Sequence, residues 1–298
     1  MSTTAILEHA KTPGIVKVLA DLTKVPISGM STVTAAAGYV ACARGVRFGV
    51  LTAVLGTLLL AMGASALNEY QERELDARME RTRHRPLPEA CLSPAGALAI
   101  ALGLGAAGFL ILFLAHGVRT ALLGALAMVW YNGVYTPLKR VTPFAVLPGS
   151  LIGALPPAIG WVAAGGRLEA PALLAICAVF FIWQVPHFWL LLLMYSDDYE
   201  RGGFPTLTRR LGVPGLTRLT VTWMCTAAVS VFLVPVFGAT ASFPSFILLA
   251  ASAAWLVFVS LRLLFGTAGR QRLRQAFMHI NLFALLVMAA LFLDPLFG

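Results

Sequence analysis

Two stretches, Phe48 to Leu67 and Phe277 to Leu293, run without a formal charge, and each is about as long as the ~17–25 residues a helix needs to cross the hydrocarbon core of a bilayer. In hydrocarbon every backbone N–H and C=O must be paired within the protein, which leaves helices and closed barrels as the only spanning structures. Barrel strands alternate apolar and polar side chains. These runs are continuously apolar, so helices are the form they dictate. The whole chain agrees, with 59% hydrophobic residues, 12% charged and a mean hydropathy of +0.83, against roughly 25% charged in soluble domains. The reading is an all-α, polytopic membrane protein with a single membrane-embedded domain over residues 1–298.

Apolar windows predict nine transmembrane helices, near 25–43, 48–68, 93–114, 119–138, 142–163, 171–195, 214–236, 243–264 and 277–296. The first is the weakest, diluted by Ser28, Ser31, Thr32 and Thr34. With nine alternating crossings, eighteen of the 22 lysines and arginines fall on the side of the N-terminus, Lys11, Lys17 and Lys24 among them; Arg44, Arg47, Arg119 and Arg167 fall on the other. The positive-inside rule then puts the N-terminus in the cytoplasm and the C-terminus outside. It also accounts for the net charge of +9 without a nucleic-acid partner. The segment before Arg44 carries Glu8 and Asp21 among its lysines and fits neither a cleavable signal nor an Arg-rich transit peptide. The expected home is a bacterial cytoplasmic (inner) membrane. Cys42, Cys91, Cys177 and Cys225 form no CxxC pair and are read as packing residues.

Against this background one polar block stands out, NEYQERELDARMERTRHRPLP at 68–88. Asn68, Glu72 and Asp76 recur every four residues, and at about 100° per residue a helix turns all three onto one face, within roughly 80° of arc. Two carboxylates and an amide with oxygens converging suit a hard cation such as Mg²⁺, which takes oxygen ligands and leaves room for phosphate oxygens. Arg78, Arg81, Arg83 and Arg85 follow directly, and guanidinium forks grip phosphate oxygens in pairs. Lys139 and Arg140 belong to the next loop on the same side, and Asp197, Asp198 and Glu200 to the loop after the sixth span. A metal-held diphosphate beside an apolar cavity implies an isoprenoid substrate and prenyl transfer. Trp130, Tyr131, Tyr135, Phe188 and Trp189 are the aromatics whose faces would steady an allylic cation. The bland alternatives are a solvated acid ladder with arginine partners, positive-inside anchors, and tryptophans of the interfacial belt. A transporter is the rival from another class, and it would be expected to carry ionisable groups near the bilayer midplane. No acid sits mid-span here.

The block at 68–88 resembles the first motif of the UbiA superfamily of intramembrane prenyltransferases, Asn-x3-Asp-x3-Asp followed by Met-x-Arg-Thr-x2-Arg-Pro-Leu, carried by Asn68, Glu72, Asp76, Met79, Arg81, Thr82, Arg85, Pro86 and Leu87. YTPLKR (135–140), GALPPAIGWVAA (153–164), WQVPHF (183–188) and DDYERGGFP (197–205) are similar to blocks of its haem-directed branch, the protohaem IX farnesyltransferases. Two departures matter. Glu72 stands where Asp is commonest, and the second loop has Gly202 four residues after Asp198 in place of a second Asp. The second departure agrees with the haem branch and disagrees with relatives that prenylate an aromatic quinone precursor.

The resemblance implies transfer of a farnesyl group from farnesyl diphosphate to the 2-vinyl group of haem b, giving haem O, with Mg²⁺ as cofactor and haem as substrate. It implies Asn68, Glu72, Asp76 and Asp198 as catalytic residues, and these four together with Asp197 as metal-holding residues. Arg81, Arg85, Lys139, Arg140 and Tyr135 would bind the diphosphate substrate, and His187 of WQVPHF the haem. His84 is expected to donate to phosphate, while His116 and His279 receive no role. Hand-off of the product to a haem A synthase or a terminal oxidase is the partner expectation, with membrane lipid around the protein.

Overall fold

The computed structural model describes residues 14–265 and 269–297; the expectations for Glu8 and Lys11 lie outside them. In chain order the helices are α1 (Ile15–Leu22), α2 (Val25–Ala43), α3 (Gly49–Asp76) and α4 (Pro94–Val129), then a π-helical turn at Trp130–Tyr135 and a short α5 (Thr136–Leu138). After these come α6 (Val146–Gly149), α7 (Leu151–Ala163), α8 (Pro171–Arg201), α9 (Leu207–Ser230), α10 (Leu233–Val236), α11 (Phe243–Leu264) and α12 (Arg270–Phe297). There is no strand among the described residues.

Eight of the described helical stretches are long and apolar enough to cross a membrane, one fewer than the nine expected. The difference lies in Pro94–Leu138, a single stretch of 45 residues. A straight helix of that length would reach about 68 Å, twice a bilayer. It is broken at Gly117, whose backbone has φ 82° and ψ 178°, a conformation open to glycine alone. The halves fold back on each other: Gly105 lies against Met128 and Gly124 against Leu112, pairs centred on residue 117. Among the described residues the eight stretches therefore hold nine apolar segments long enough to cross, with the turn at Gly117 close in sequence to Arg119.

Both halves of α4 pack on α3. Close approach is made by glycines; a Cβ on Gly63 would stand 2.8 Å from the Ala101 carbonyl oxygen and from the Gly105 nitrogen. Lipid gives helices no hydrophobic drive to associate, so small residues that let backbones touch do that work. Proline and serine set the starts of α4 and α11: Ser93 accepts from the Gly96 N–H and Ser242 from the Ser245 N–H, each followed by a proline in the first turn. The polar residues of α2 are not a weakness. Ser28 and Thr32 are buried and bond to the carbonyls of Thr23 and Ser28.

α3 differs from its predicted span in one respect that matters for the site. It does not stop at the apolar boundary but continues to Asp76, so the ladder is carried on the last two turns of a spanning helix. Likewise α8 runs on to Arg201 through a kink at Tyr195 (φ −133°, ψ 26°), bringing Asp198 to the same end of the molecule.

Candidate active site

A cavity of about 510 Å³ opens beneath this end. One wall is a single face of α3, where Thr57, Leu60, Ala61, Ala64, Asn68, Glu72 and Asp76 line it in turn, a run of about 28 Å at ~1.5 Å per residue. Gly124, Met128 and Ile159 close that side with α4 and α7. The facing wall is built by α2, α8 and α12 from Ser31, Thr34, Trp183, Gln184, His187, Asn281 and Met288. Between them stand Tyr131, Tyr135 and Phe188, with Tyr135 stacked on both neighbours at 5.9 and 5.7 Å. The π-helical turn carries both tyrosines, which stand at i and i+4, one turn apart on the side that faces the cavity. It is pinned to α3 by Asn132, which donates to the Ala64 carbonyl at 3.0 Å.

The ladder at the cavity mouth is buried, not solvated. Each rung meets one cation, and each cation comes from a different part of the chain. Lys24 donates to Asn68 Oδ1 at 2.8 Å, Lys139 to Glu72 Oε2 at 2.6 Å and Arg85 to Asp76 Oδ2 at 2.6 Å. Asn68 in turn donates to Glu72 Oε2 at 3.0 Å and to Thr136 Oγ1 at 3.1 Å. Glu72 Oε1 is buried with no hydrogen-bond partner. Among the described residues no three His, Cys, Asp or Glu side chains converge as a ligand set; the ladder supplies two carboxylates and an amide. Such a set fits Mg²⁺, which takes its remaining oxygens from water and phosphate, and the unpartnered Glu72 oxygen is the atom that most needs a cation.

The structure divides the remaining predicted residues. Arg81 lines the cavity with its guanidinium over the rings of Tyr195 and Tyr199, at 5.3 and 5.8 Å. Tyr135, His187 and Lys139 also line it, the lysine lying over the Tyr135 ring at 5.4 Å. Arg140 is turned away and donates to the Gln71 carbonyl at 2.6 Å. Asp197 is exposed, with Ser196 as its neighbour. Asp198 is buried but not on the ladder. Its two oxygens accept the backbone N–H groups of Glu80 and Arg81 at 2.8 and 3.0 Å, so it fastens the arginine loop to α8. His84 sits outside the cavity beside Glu89 at 3.0 Å. Trp130 donates to the Pro148 carbonyl and Trp189 packs edge-on against Trp223 in the core, so of the five expected aromatics Tyr131, Tyr135 and Phe188 line the cavity.

His187 lies between the rings of Trp183 and Phe277, 4.9 and 4.8 Å away, and its Nδ1 is buried without a partner. Lys24 was visible in the sequence only as one more positive charge near the N-terminus. No periodicity marks it, because it sits in the turn between α1 and α2 with left-handed backbone angles, φ 48° and ψ 52°. Burial, and after it the nearby Arg85 and Lys139, bring its amine down to about 7.

The sequence profile of the UbiA prenyltransferase family matches residues 31–293. A relative from Geobacter sulfurreducens named Protoheme IX farnesyltransferase is 44% identical over 209 residues, covering 70% of this chain and 77% of its own. One of the same name from Anaeromyxobacter sp. (strain Fw109-5) is 37% identical over 289 residues and 91% of both chains. Among solved structures, the fold is similar to that of a UbiA homologue from Aeropyrum pernix K1, with a TM-score of 0.76 at 19% identity over 91% of this chain and 98% of that one. It is also similar to that of a UbiA homologue from Archaeoglobus fulgidus bound to GPP and Mg²⁺, with a TM-score of 0.65 at 12% identity over 92% and 99%. The chain belongs to the UbiA prenyltransferase family.

Proposed function

We propose that this protein transfers the farnesyl group of farnesyl diphosphate to the 2-vinyl group of haem b, making haem O. The observation that carries the reading is one cavity with an acid ladder and four cations at its mouth, an apolar wall along α3 and a histidine with an unpartnered Nδ1 in its lining. The relatives' shared name supports farnesyl as the group and haem as the acceptor. Asn68, Glu72 and Asp76 hold Mg²⁺, which when bound neutralises charge on the diphosphate oxygens. Arg81, Arg85 and Lys139 take the diphosphate. Asp198 serves by holding the loop that carries Arg81.

The chain's own groups then divide the work. As the carbon–oxygen bond of farnesyl diphosphate breaks, its electron pair leaves with the diphosphate, and the guanidinium and ammonium groups stabilise that growing charge. The electron-poor farnesyl carbon faces Tyr131, Tyr135 and Phe188, whose ring faces attract positive charge. The terminal vinyl carbon of haem gives its π pair to that carbon, and water adds to the resulting haem-side cation with loss of a proton. His187 orients the haem against the α8 and α12 wall. The whole chain acts as one membrane domain, in a bacterial inner membrane, with the ladder and N-terminus on the cytoplasmic side and product passed on to haem A synthase or an oxidase.

Membranes carrying the protein, given farnesyl diphosphate with haem b or 4-hydroxybenzoate with a longer polyprenyl diphosphate, test the acceptor. Farnesylated haem is the expected product. Product from the aromatic acid alone contradicts the reading.

A further inference from the structure

The cavity mouth holds one cation that no motif or profile assigns. Lys24 lies upstream of the 31–293 stretch matched by the family profile, in a turn whose shape is set for inward delivery of its side chain. Its backbone is left-handed, its carbonyl accepts from the N–H groups of Ile27 and Ser28 at 2.9 and 3.0 Å, and Pro26 follows in the first turn of α2. A non-glycine residue in the left-handed region costs free energy of order 1 kcal/mol, so the placement is maintained by what surrounds it. The amine lines the cavity and reaches the top rung, Asn68, at 2.8 Å.

Asn68 is neutral, which separates this contact from the two beside it. Lys139 and Arg85 each have a carboxylate, whereas the ammonium of Lys24 is held by an amide oxygen alone. A desolvated ammonium with no anion of its own is poorly stabilised where it stands. It sits beside oxygens that suit a metal and two cations that suit phosphate.

We propose that Lys24 is a diphosphate-binding residue: with substrate present its amine leaves Asn68 and donates to the diphosphate oxygens, while Asn68 turns its oxygen to the metal. This assignment rests on the prenyl-diphosphate reading of the cavity. Lys24 thereby becomes the cation that ties the α1–α2 turn to the substrate, and its removal acts on diphosphate recognition, not on the apolar cavity.

The test compares two probes on the full-length protein in nanodiscs with Mg²⁺: farnesyl thiolodiphosphate, which binds without reacting, and farnesol, which lacks the diphosphate. Lys24→Met is expected to weaken the first about 10- to 100-fold, the range of a charge-assisted hydrogen bond, and to leave farnesol within about twofold. Lys24→Arg should recover most of the loss. Independently of any variant, inorganic diphosphate with Mg²⁺ should protect Lys24 of the wild-type protein from reductive methylation while exposed Lys17 remains reactive. Unchanged thiolodiphosphate binding in Lys24→Met, or equal methylation with and without diphosphate, overturns the assignment. So does equal loss of both probes, which would make the turn a cavity-shaping element. Wild-type protein that binds the thiolodiphosphate no more tightly than farnesol overturns the reading of the cavity itself.

Discussion

Buried acids occur at both ends of this bundle, and they are satisfied in opposite ways. At the end opposite the cavity mouth, Asp294 of α12 accepts the backbone N–H groups of Ala241 and Ser242 at 2.9 and 2.8 Å and pairs with Arg44 at 2.7 Å. Most of its capacity is spent on backbone, which cannot move away, and it fastens the ends of α2, α11 and α12. At the cavity mouth, Glu72 and Asp76 meet only side chains, on stems that can swing, and one Glu72 oxygen has no partner. An acid held by amides is a fastener; an acid held by mobile cations beside a cavity is available for chemistry. Asp198 shows that the two kinds mix. It lies at the functional end yet is bonded to the amides of Glu80 and Arg81.

That contrast makes predictions of falling size. Asp76→Ala should reduce farnesyl transfer by at least about 10²–10³-fold while the melting temperature in detergent stays near that of wild type; an active variant would remove Asp76 from the site. Asp294→Ala should do the reverse. It leaves two backbone donors and Arg44 short of an acceptor and should cost about 2–3 kcal/mol of stability, with turnover of the surviving protein little changed at low temperature. A collapse of kcat without a drop in thermal stability would break the comparison. His187→Ala should abolish the haem spectral shift, with farnesyl thiolodiphosphate still bound; loss of both ligands together would mark a packing role. Asp198→Asn keeps one acceptor oxygen and loses the other, and should raise the KM for farnesyl diphosphate about tenfold, as expected for one net hydrogen bond of ~1–1.5 kcal/mol. Faster amide exchange at Glu80 and Arg81 should accompany it. Asp197→Ala, at an exposed position, should stay within about twofold of wild type in every assay.

Much of this was legible before any coordinates. The spans were readable because apolar length is what a bilayer demands, and the ladder because a four-residue repeat on a helix needs no tertiary information. What the sequence concealed was direction. Lys139 and Arg140 are neighbours in a basic pair, yet one enters the cavity and the other caps a carbonyl of α3. Asp198 has an expected residue type in an expected loop, but the sequence gives no sign that its two oxygens accept backbone amides of another loop. Lys24 gave no signal at all, since a lone lysine between two helices reads as a topology anchor until the fold shows where its stem points. The helix count turned on a single glycine, Gly117, whose neighbours are as apolar as any span.

The central claim is that the cation-held acid ladder and the wall that carries His187 serve one reaction in one cavity. Expression of the protein alone, with haem b available and no other haem-modifying enzyme, followed by mass analysis of the extracted pigments, tests it most directly. The expected product is a new haem heavier than haem b by one farnesyl group and one hydroxyl group, absent when Asp76 is replaced by Ala. Haem b recovered unchanged, with the prenyl group found on a quinone precursor, would contradict it.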